Sequence, residues 1–127
     1  MTKTQIMVVE DEGIVALSLK RKLIRLGYEV MAVVSSGEEA LEEIAHSPPD
    51  LILMDIILAG QLDGVETAGQ IQANFNIPLI YLTAHSDNHT LQRVKETQPD
   101  GYLIKPFEEN ELQLAIETAL AEIKQKS

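Results

Sequence analysis

Cysteine is absent from this 127-residue chain, which excludes disulfide bonds, thiolate metal ligands and a cysteine nucleophile. The absence fits a reducing compartment, so we expect a cytoplasmic protein. No apolar run is long enough to cross a bilayer, and the opening residues lack the apolar segment of a signal peptide, so no membrane association is expected. Internal repeats are also missing. Because 45% of the residues are hydrophobic, we predict one packed domain over residues 1–127.

Basic residues are scarce in this chain. It has 10 lysines and arginines against 20 aspartates and glutamates, which gives a net charge of −10. Such an excess of negative charge repels a phosphate backbone, so we expect no direct binding to nucleic acid. Much of the acid falls in the segments EEALEEI and EENELQLAIE, which we interpret as the solvated faces of helices.

Short apolar runs alternate with segments of helical periodicity along the chain. The apolar runs are continuous, which is typical of a parallel sheet covered by helices on both faces. Ser36 and Glu39 have the spacing of a capping box at the start of the second helix. The pattern predicts an α/β fold of five βα units, with strands at 5–9, 28–34, 51–54, 77–83 and 100–105, and helices at 13–27, 37–46, 63–75, 87–97 and 108–124.

Polar side chains stand at the carboxyl ends of four of these predicted strands: Glu10, Asp11 and Glu12 at the first, Asp55 at the third, Thr83 at the fourth and Lys105 at the fifth. Parallel strands end at one edge of their sheet, and ligands of open α/β folds bind there. Crowded carboxylates repel one another, and a hard cation such as Mg²⁺ relieves that repulsion. A lysine and a hydroxyl add groups that bind phosphoryl oxygens, so Asp55 can act as a nucleophile that forms an aspartyl phosphate.

Each of these residues also has an ordinary structural explanation. An aspartate after a strand often forms a turn or caps a helix, and the acids at 10–12 suit the first turn of a helix. Thr83 can cap the helix that follows it, and Lys105 can be a surface lysine. Four such groups at the ends of four strands are better explained together, as one site.

Over its whole length the sequence resembles the receiver domain of response regulators, the phosphate-accepting proteins of two-component signalling. The motifs that carry the resemblance are VVEDE, LILMDI, DGVE, IYLTA and GYLIKPF, in the family's order and spacing. The resemblance implies a doubly wound, flavodoxin-like (βα)5 fold with strand order 2-1-3-4-5. It also implies a switch with at most slow self-dephosphorylation, and not an enzyme in the usual sense.

The resemblance further implies a role for each residue of the site. Asp55 accepts the phosphoryl group from a sensor histidine kinase or a phosphotransfer protein. Asp11 and Asp55 bind Mg²⁺ or Mn²⁺, with help from Glu10 and from the backbone carbonyl of Ile57. Thr83 and Lys105 contact the phosphoryl oxygens.

A conformational switch is implied as well, in which Thr83 and the aromatic side chain of Tyr102 move when Asp55 is phosphorylated. The fourth helix, the fifth strand and the fifth helix then form the surface for a downstream protein partner or a homodimer. Leu114 lies off the apolar stripe of the fifth helix, and we expect it in that surface. The peptide bond between Lys105 and Pro106 is expected to be cis.

Three features depart from the family's usual pattern. Glu10 stands where the family often has aspartate. The loop IILAGQLDG after Asp55 is one residue longer than usual and lacks the common Met-Pro. Ile57 and His85 occupy positions that are often polar or acidic, and we expect both to tune the lifetime of the phosphoryl group. Because isoleucine cannot orient a water molecule, self-dephosphorylation is expected to be slow.

Two classes of function remain open from the residues alone: a phosphorylatable switch, and a receiver-like interaction module that takes no phosphate. The joint presence of Asp11, Asp55, Thr83 and Lys105 favours the switch. A phosphatase of the haloacid-dehalogenase type would need a second aspartate two residues after Asp55, where Ile57 stands. The chain is either a stand-alone receiver or part of a longer protein.

Overall fold

The computed structural model describes residues 3–58, 60–83 and 88–126, except for the side chains of 88–91 and 123–126. In this part of the chain, strands and helices alternate as predicted. The strands are β1 (Gln5–Val9), β2 (Glu29–Val34), β3 (Leu51–Asp55), β4 (Leu79–Thr83) and β5 (Gly101–Ile104). The helices are α1 (Gly13–Arg25), α2 (Gly37–His46), α3 (Gly64–Asn74), α4 (Asn88–Glu96) and α5 (Glu109–Lys126).

All strand pairs are parallel, and the order in the sheet is β2-β1-β3-β4-β5. Side chains alternate along each strand, so the sheet has an apolar core on both faces. Met7 and Val9 of β1 pack with α2, α3 and α4, whereas Ile6 and Val8 pack with α1 and α5. The predicted α/β class and the strand order implied by the resemblance are therefore confirmed.

The helix ends depart from the prediction in small ways. Helix α1 ends at Arg25, two residues before the predicted limit, and Gly27 follows it with φ +94°, which a glycine adopts without strain. Only half of the capping box at α2 forms: the Ser36 hydroxyl accepts a hydrogen bond from the Glu39 N–H at 3.2 Å. The Glu39 carboxylate instead accepts hydrogen bonds from the hydroxyls of Ser35 and Ser36, at 2.9 and 3.3 Å.

A complete capping box lies at the start of α3, where none was predicted. The Asp63 carboxylate accepts a hydrogen bond from the Glu66 N–H at 2.8 Å, and the Glu66 carboxylate accepts one from the Asp63 N–H at 3.1 Å. This box fixes the end of the loop that leaves strand β3. Among the described residues, no helix is long and apolar enough to cross a membrane.

Candidate phosphoryl-acceptor site

The register of the sheet brings the predicted site residues to one edge. Val9 pairs with Met54, so Glu10 and Asp55 are the next residues along two adjacent strands. Asp55 pairs with Leu82, and Thr83 pairs with Ile104. Lys105 therefore follows β5 directly beside the end of β4, where its N–H donates to the Thr83 carbonyl at 2.7 Å.

Lys105 connects the carboxylates of this edge. Its Nζ lies 2.7 Å from Oε1 of Glu10 and 3.1 Å from Oδ2 of Asp55. Burial alone would lower the pKa of Lys105, but the hydrogen bonds to Glu10 and Asp55 outweigh burial and raise it. The ammonium therefore keeps its charge between two acidic groups.

Glu10 is 2% exposed, although it carries a carboxylate. Burial raises the pKa of Glu10, the neighbouring Asp55 raises it further, and the hydrogen bond from Lys105 opposes both effects. The second carboxylate oxygen accepts a hydrogen bond from the Glu12 N–H at 3.3 Å. These partners explain how a carboxylate is tolerated at the edge of the apolar core.

Asp55 is the last residue of β3 and is 7% exposed. Its Oδ1 accepts a hydrogen bond from the N–H of Ile57 at 3.1 Å, while Oδ2 contacts Lys105. The loop that follows is closed at its two ends, since the Gly64 N–H donates to the Ile56 carbonyl at 2.8 Å. A Cβ at Gly64 would collide with the backbone of Asp55 and Ile56, so only glycine allows α3 to approach the end of β3 this closely.

Three carboxylates of the site suit a divalent cation. Glu10, Asp11 and Asp55 each offer an oxygen, and these oxygens all lie within 4.8 Å of one another. Two of the three side chains are buried and Asp11 is exposed, so the cluster is open to solvent on one side. Hard oxygen donors in this number fit Mg²⁺, which keeps several waters and takes few protein ligands.

The structure also describes the predicted residues Thr83, Tyr102, Ile57 and Pro106. Thr83 is buried at the end of β4, and Tyr102, on the same face of the sheet, is 49% exposed. Ile57 is 68% exposed. The bond between Lys105 and Pro106 is cis, as predicted. His85 lies outside the described residues.

The structure adds residues that the sequence did not indicate. One is Gly64, and another is Glu38, which contacts the β3–α3 loop (residues 56–63). A third is Arg93, which forms an ion pair with Asp63 at 2.7 Å. The motif DGVE contains a signal for the role of Asp63, because an aspartate followed three residues later by a glutamate has the spacing of a capping box.

Comparison with known proteins agrees with this arrangement. The family model described as the response regulator receiver domain matches residues 6–117. The chain is 31% identical over 121 residues to the transcriptional regulatory protein PdtaR of Mycobacterium tuberculosis, covering 95% of this chain and 58% of that protein. It is 32% identical to the probable transcriptional regulator ycf27 of Porphyridium aerugineum, covering 100% of this chain and 52% of that protein. The chain thus spans about half the length of these relatives.

Solved structures are similar over nearly the full chain. The signal receiver domain of a modulated diguanylate cyclase from Desulfovibrio desulfuricans has a TM-score of 0.94 and 40% identity, covering 99% of this chain and 100% of that one. The receiver domain of a sensor histidine kinase from Pseudomonas aeruginosa has a TM-score of 0.86 and 30% identity, covering 94% of this chain and 99% of that one, and it holds a magnesium ion coordinated in its active site cleft. This chain belongs to the family of response regulator receiver domains.

Proposed function

We propose that this receiver domain accepts a phosphoryl group on Asp55 from a phosphohistidine of a sensor kinase or phosphotransfer protein. The observation that carries the proposal is the setting of Asp55. Its carboxylate ends β3, contacts the Lys105 ammonium at 3.1 Å, and lies within reach of the carboxylates of Glu10 and Asp11. A nucleophile, a cation and a metal-binding set are the parts that phosphoryl transfer to a carboxylate requires.

In the proposed reaction, an oxygen of the Asp55 carboxylate attacks phosphorus, a P–O bond forms and the P–N bond of the donor breaks. The leaving imidazole takes up a proton from solvent. Lys105 and Thr83 stabilise the negative charge on the phosphoryl oxygens. Mg²⁺ would be held by Asp11, Asp55, Glu10 and the Ile57 carbonyl. When bound, it would neutralise part of the negative charge on the phosphoryl oxygens.

The outcome of phosphorylation is proposed to be a change at the surface of α4, β5 and α5. Thr83 and Tyr102 lie on one face of the sheet, so a shift of Thr83 toward the phosphoryl group can be followed by Tyr102, which is half exposed. Ile57 and His85 are proposed to set how long this state lasts. A protein partner would recognise the altered surface.

Incubation with acetyl phosphate and Mg²⁺ tests the proposal. The intact mass is expected to rise by one phosphoryl group, and the adduct should be labile in acid and base. Asp55→Asn should abolish the adduct, and Asp11→Asn should remove most of its dependence on Mg²⁺. Incorporation that survives in Asp55→Asn would contradict the proposal, and no incorporation in the parent protein would favour an interaction module that takes no phosphate.

A further inference from the structure

The first turn of α2 contacts the β3–α3 loop through a carboxylate. Oε2 of Glu38 accepts a hydrogen bond from the Gln61 N–H at 3.2 Å, and Oε1 accepts one from the Leu62 N–H at 3.4 Å. One side chain therefore holds two successive backbone N–H groups. Concave arrangements of successive N–H groups are sites where loops bind anions.

Glycines allow the two segments to come this close. Gly60 has φ +93°, and a Cβ there would lie 2.8 Å from Oε2 of Glu38, so a side chain would displace the carboxylate. A Cβ at Gly37 would collide with the hydroxyl of Thr67 and lie 3.2 Å from Cβ of Leu62. The start of α2 is thus packed directly against both the loop and α3.

The electrostatics favour the charged form of Glu38. Hydrogen bonds from backbone N–H groups, that of Gln61 first, lower the pKa of Glu38 below its ordinary value. Glu38 also lies in the first turn of α2, where the helix dipole favours a negative charge. Because Glu38 is exposed, we expect its contacts to restrain the loop locally and to contribute little to global stability.

The same loop carries the backbone that faces Asp55. The Ile57 N–H donates to Oδ1 of Asp55, and the Gly64 N–H closes the far end of the loop onto Ile56. Glu38 contacts the loop between these two points. A restraint at residues 61 and 62 also limits the conformations that the backbone of Ile57 can adopt, because both are part of one loop that is closed at Gly64.

We propose that Glu38 is a positioning residue for the chemistry at Asp55, holding the β3–α3 loop in the shape that keeps the Ile57 backbone turned to the site. The inference rests on the proposed function, in which the Ile57 carbonyl is a metal ligand. Glu38 belongs to the acidic segment EEALEEI, so one acid of this solvated helix face also has a structural role.

The test compares Glu38→Ala with Glu42→Ala. The control removes the same charge from the next turn of the same helix, where the Glu42 side chain has no hydrogen-bond or ion-pair partner among the described residues. In metal-free protein, amide hydrogen exchange at Gln61 and Leu62 should be roughly tenfold faster in Glu38→Ala than in the parent protein. In the control, the exchange rates should not change. Calorimetric titration should show that Mg²⁺ affinity falls roughly tenfold in Glu38→Ala and stays unchanged in Glu42→Ala. A loss of this size is usual when a residue that orients a metal ligand is removed.

Glu38→Gln separates positioning from a purely structural role. Glutamine keeps one carbonyl oxygen as an acceptor, so its Mg²⁺ affinity should fall between that of the parent and that of Glu38→Ala, while the urea midpoints of all three remain alike. Equal Mg²⁺ affinity in Glu38→Ala and Glu42→Ala would overturn the proposal. The proposal would also be overturned if Glu38→Ala lowered the urea midpoint and the loss of Mg²⁺ affinity followed from that loss of global stability.

The positioning role and the proposed function can fail separately. If the parent protein binds Mg²⁺ but takes no phosphoryl group, and Glu38→Ala still weakens Mg²⁺ binding, the proposed function fails, while the positioning of the metal site by Glu38 stands. If the parent protein is phosphorylated and Glu38→Ala behaves like the control, the positioning role is wrong. Absence of Mg²⁺ binding in the parent protein would overturn both.

Discussion

At the scale of single residues, the site depends on one ammonium shared by two carboxylates. Lys105 Nζ lies closer to Glu10, at 2.7 Å, than to Asp55, at 3.1 Å. Glu10 is the more deeply buried of the two acids and has the greater need of a partner. The glutamate at this position therefore takes the shorter contact with the lysine, and Asp55 keeps the longer one.

The first prediction concerns the loss of this ammonium. Lys105→Met keeps an apolar stem but leaves the carboxylates of Glu10 and Asp55 facing each other without a cation. Without Mg²⁺, we expect the free energy of unfolding to fall by roughly 1–3 kcal/mol, since the pair is mostly buried. Mg²⁺ should then stabilise the variant more than it stabilises the parent protein, because the metal is the cation that remains. Urea unfolding with and without Mg²⁺ measures both effects.

Lys95→Met serves as the matched control for this prediction. Lys95 is exposed on α4, and its replacement changes the net charge by the same amount. We expect its unfolding free energy and its response to Mg²⁺ to stay close to those of the parent protein. The prediction would be wrong if Lys105→Met gave the same small change as this control.

At the scale of elements, α4 is attached to the rest of the molecule by few described contacts. Of its described side chains, Val94 is the one that joins the core. Arg93 forms an ion pair with Asp63 at the start of α3, at 2.7 Å. Just after the helix, the Thr97 hydroxyl hydrogen-bonds with the hydroxyl of the buried Tyr81 at 2.8 Å. Among the described side chains of this region, polar contacts therefore help to hold α4 beside the one apolar contact of Val94.

The second prediction concerns the ion pair of α4. Asp63→Asn keeps a good N-cap for α3 but loses the charge, so a double-mutant cycle with Arg93→Ala isolates the pair. Both side chains are about one-third exposed, and we expect a coupling of about 0.5–1 kcal/mol in urea unfolding. Amide exchange within α4 should quicken in Arg93→Ala, because the helix loses a link to the β3–α3 loop.

The coupling would be refuted if the changes in unfolding free energy of Asp63→Asn and Arg93→Ala simply added in the double variant. The prediction also fails if amides of α4 exchange at the parent rate in Arg93→Ala. High salt gives an independent check, since screening should reduce the coupling of a partly exposed pair.

At the scale of the whole molecule, exposed apolar side chains occur on α1 as well as on β5 and α5, while most acids of α2 and α5 face solvent. Tyr102 and Ile104 of β5 and Leu114 of α5 are all more than 40% exposed. Tyr102 and Leu114 also line one groove. Apolar side chains clustered on an acidic protein are typical of a surface that binds another protein.

The third prediction concerns this groove. Leu114 is 66% exposed, so Leu114→Glu should leave folding and phosphorylation unchanged. It should weaken phosphorylation-dependent association tenfold or more, because a carboxylate without a partner is costly to bury in an interface. Sedimentation of the phosphorylated protein measures self-association, and affinity capture with the phosphorylated and Asp55→Asn proteins measures binding of a partner.

Ile24→Glu places the same charge at an exposed apolar position of α1 and is the matched control. It should associate like the parent protein. Association of Leu114→Glu at parental strength would show that the groove is not the partner surface.

The elements of the fold could be predicted because their signals are periodic and local. Continuous apolar runs mark β1, β3 and β4, and Leu19 and Leu23 recur at helical spacing on α1. The residues after each strand could be placed at one edge because parallel strands share a direction. The half-formed capping box at Ser36 shows the limit of a local motif. The Glu39 carboxylate accepts hydrogen bonds from the hydroxyls of Ser35 and Ser36 and not from the Ser36 backbone N–H.

By itself, then, the sequence determined the five βα units and the gathering of Asp11, Asp55, Thr83 and Lys105 at one edge, since both follow from periodicity and strand direction. Only the tertiary structure decided that Lys105 bonds Glu10 more closely than Asp55, that Glu38 contacts a loop 23 residues away, and that Arg93 reaches back 30 residues to Asp63. The pairing of charged side chains has no periodic signature in the sequence. Their partners are set by how helices and loops pack across the sheet, and that packing exists only once the core has formed.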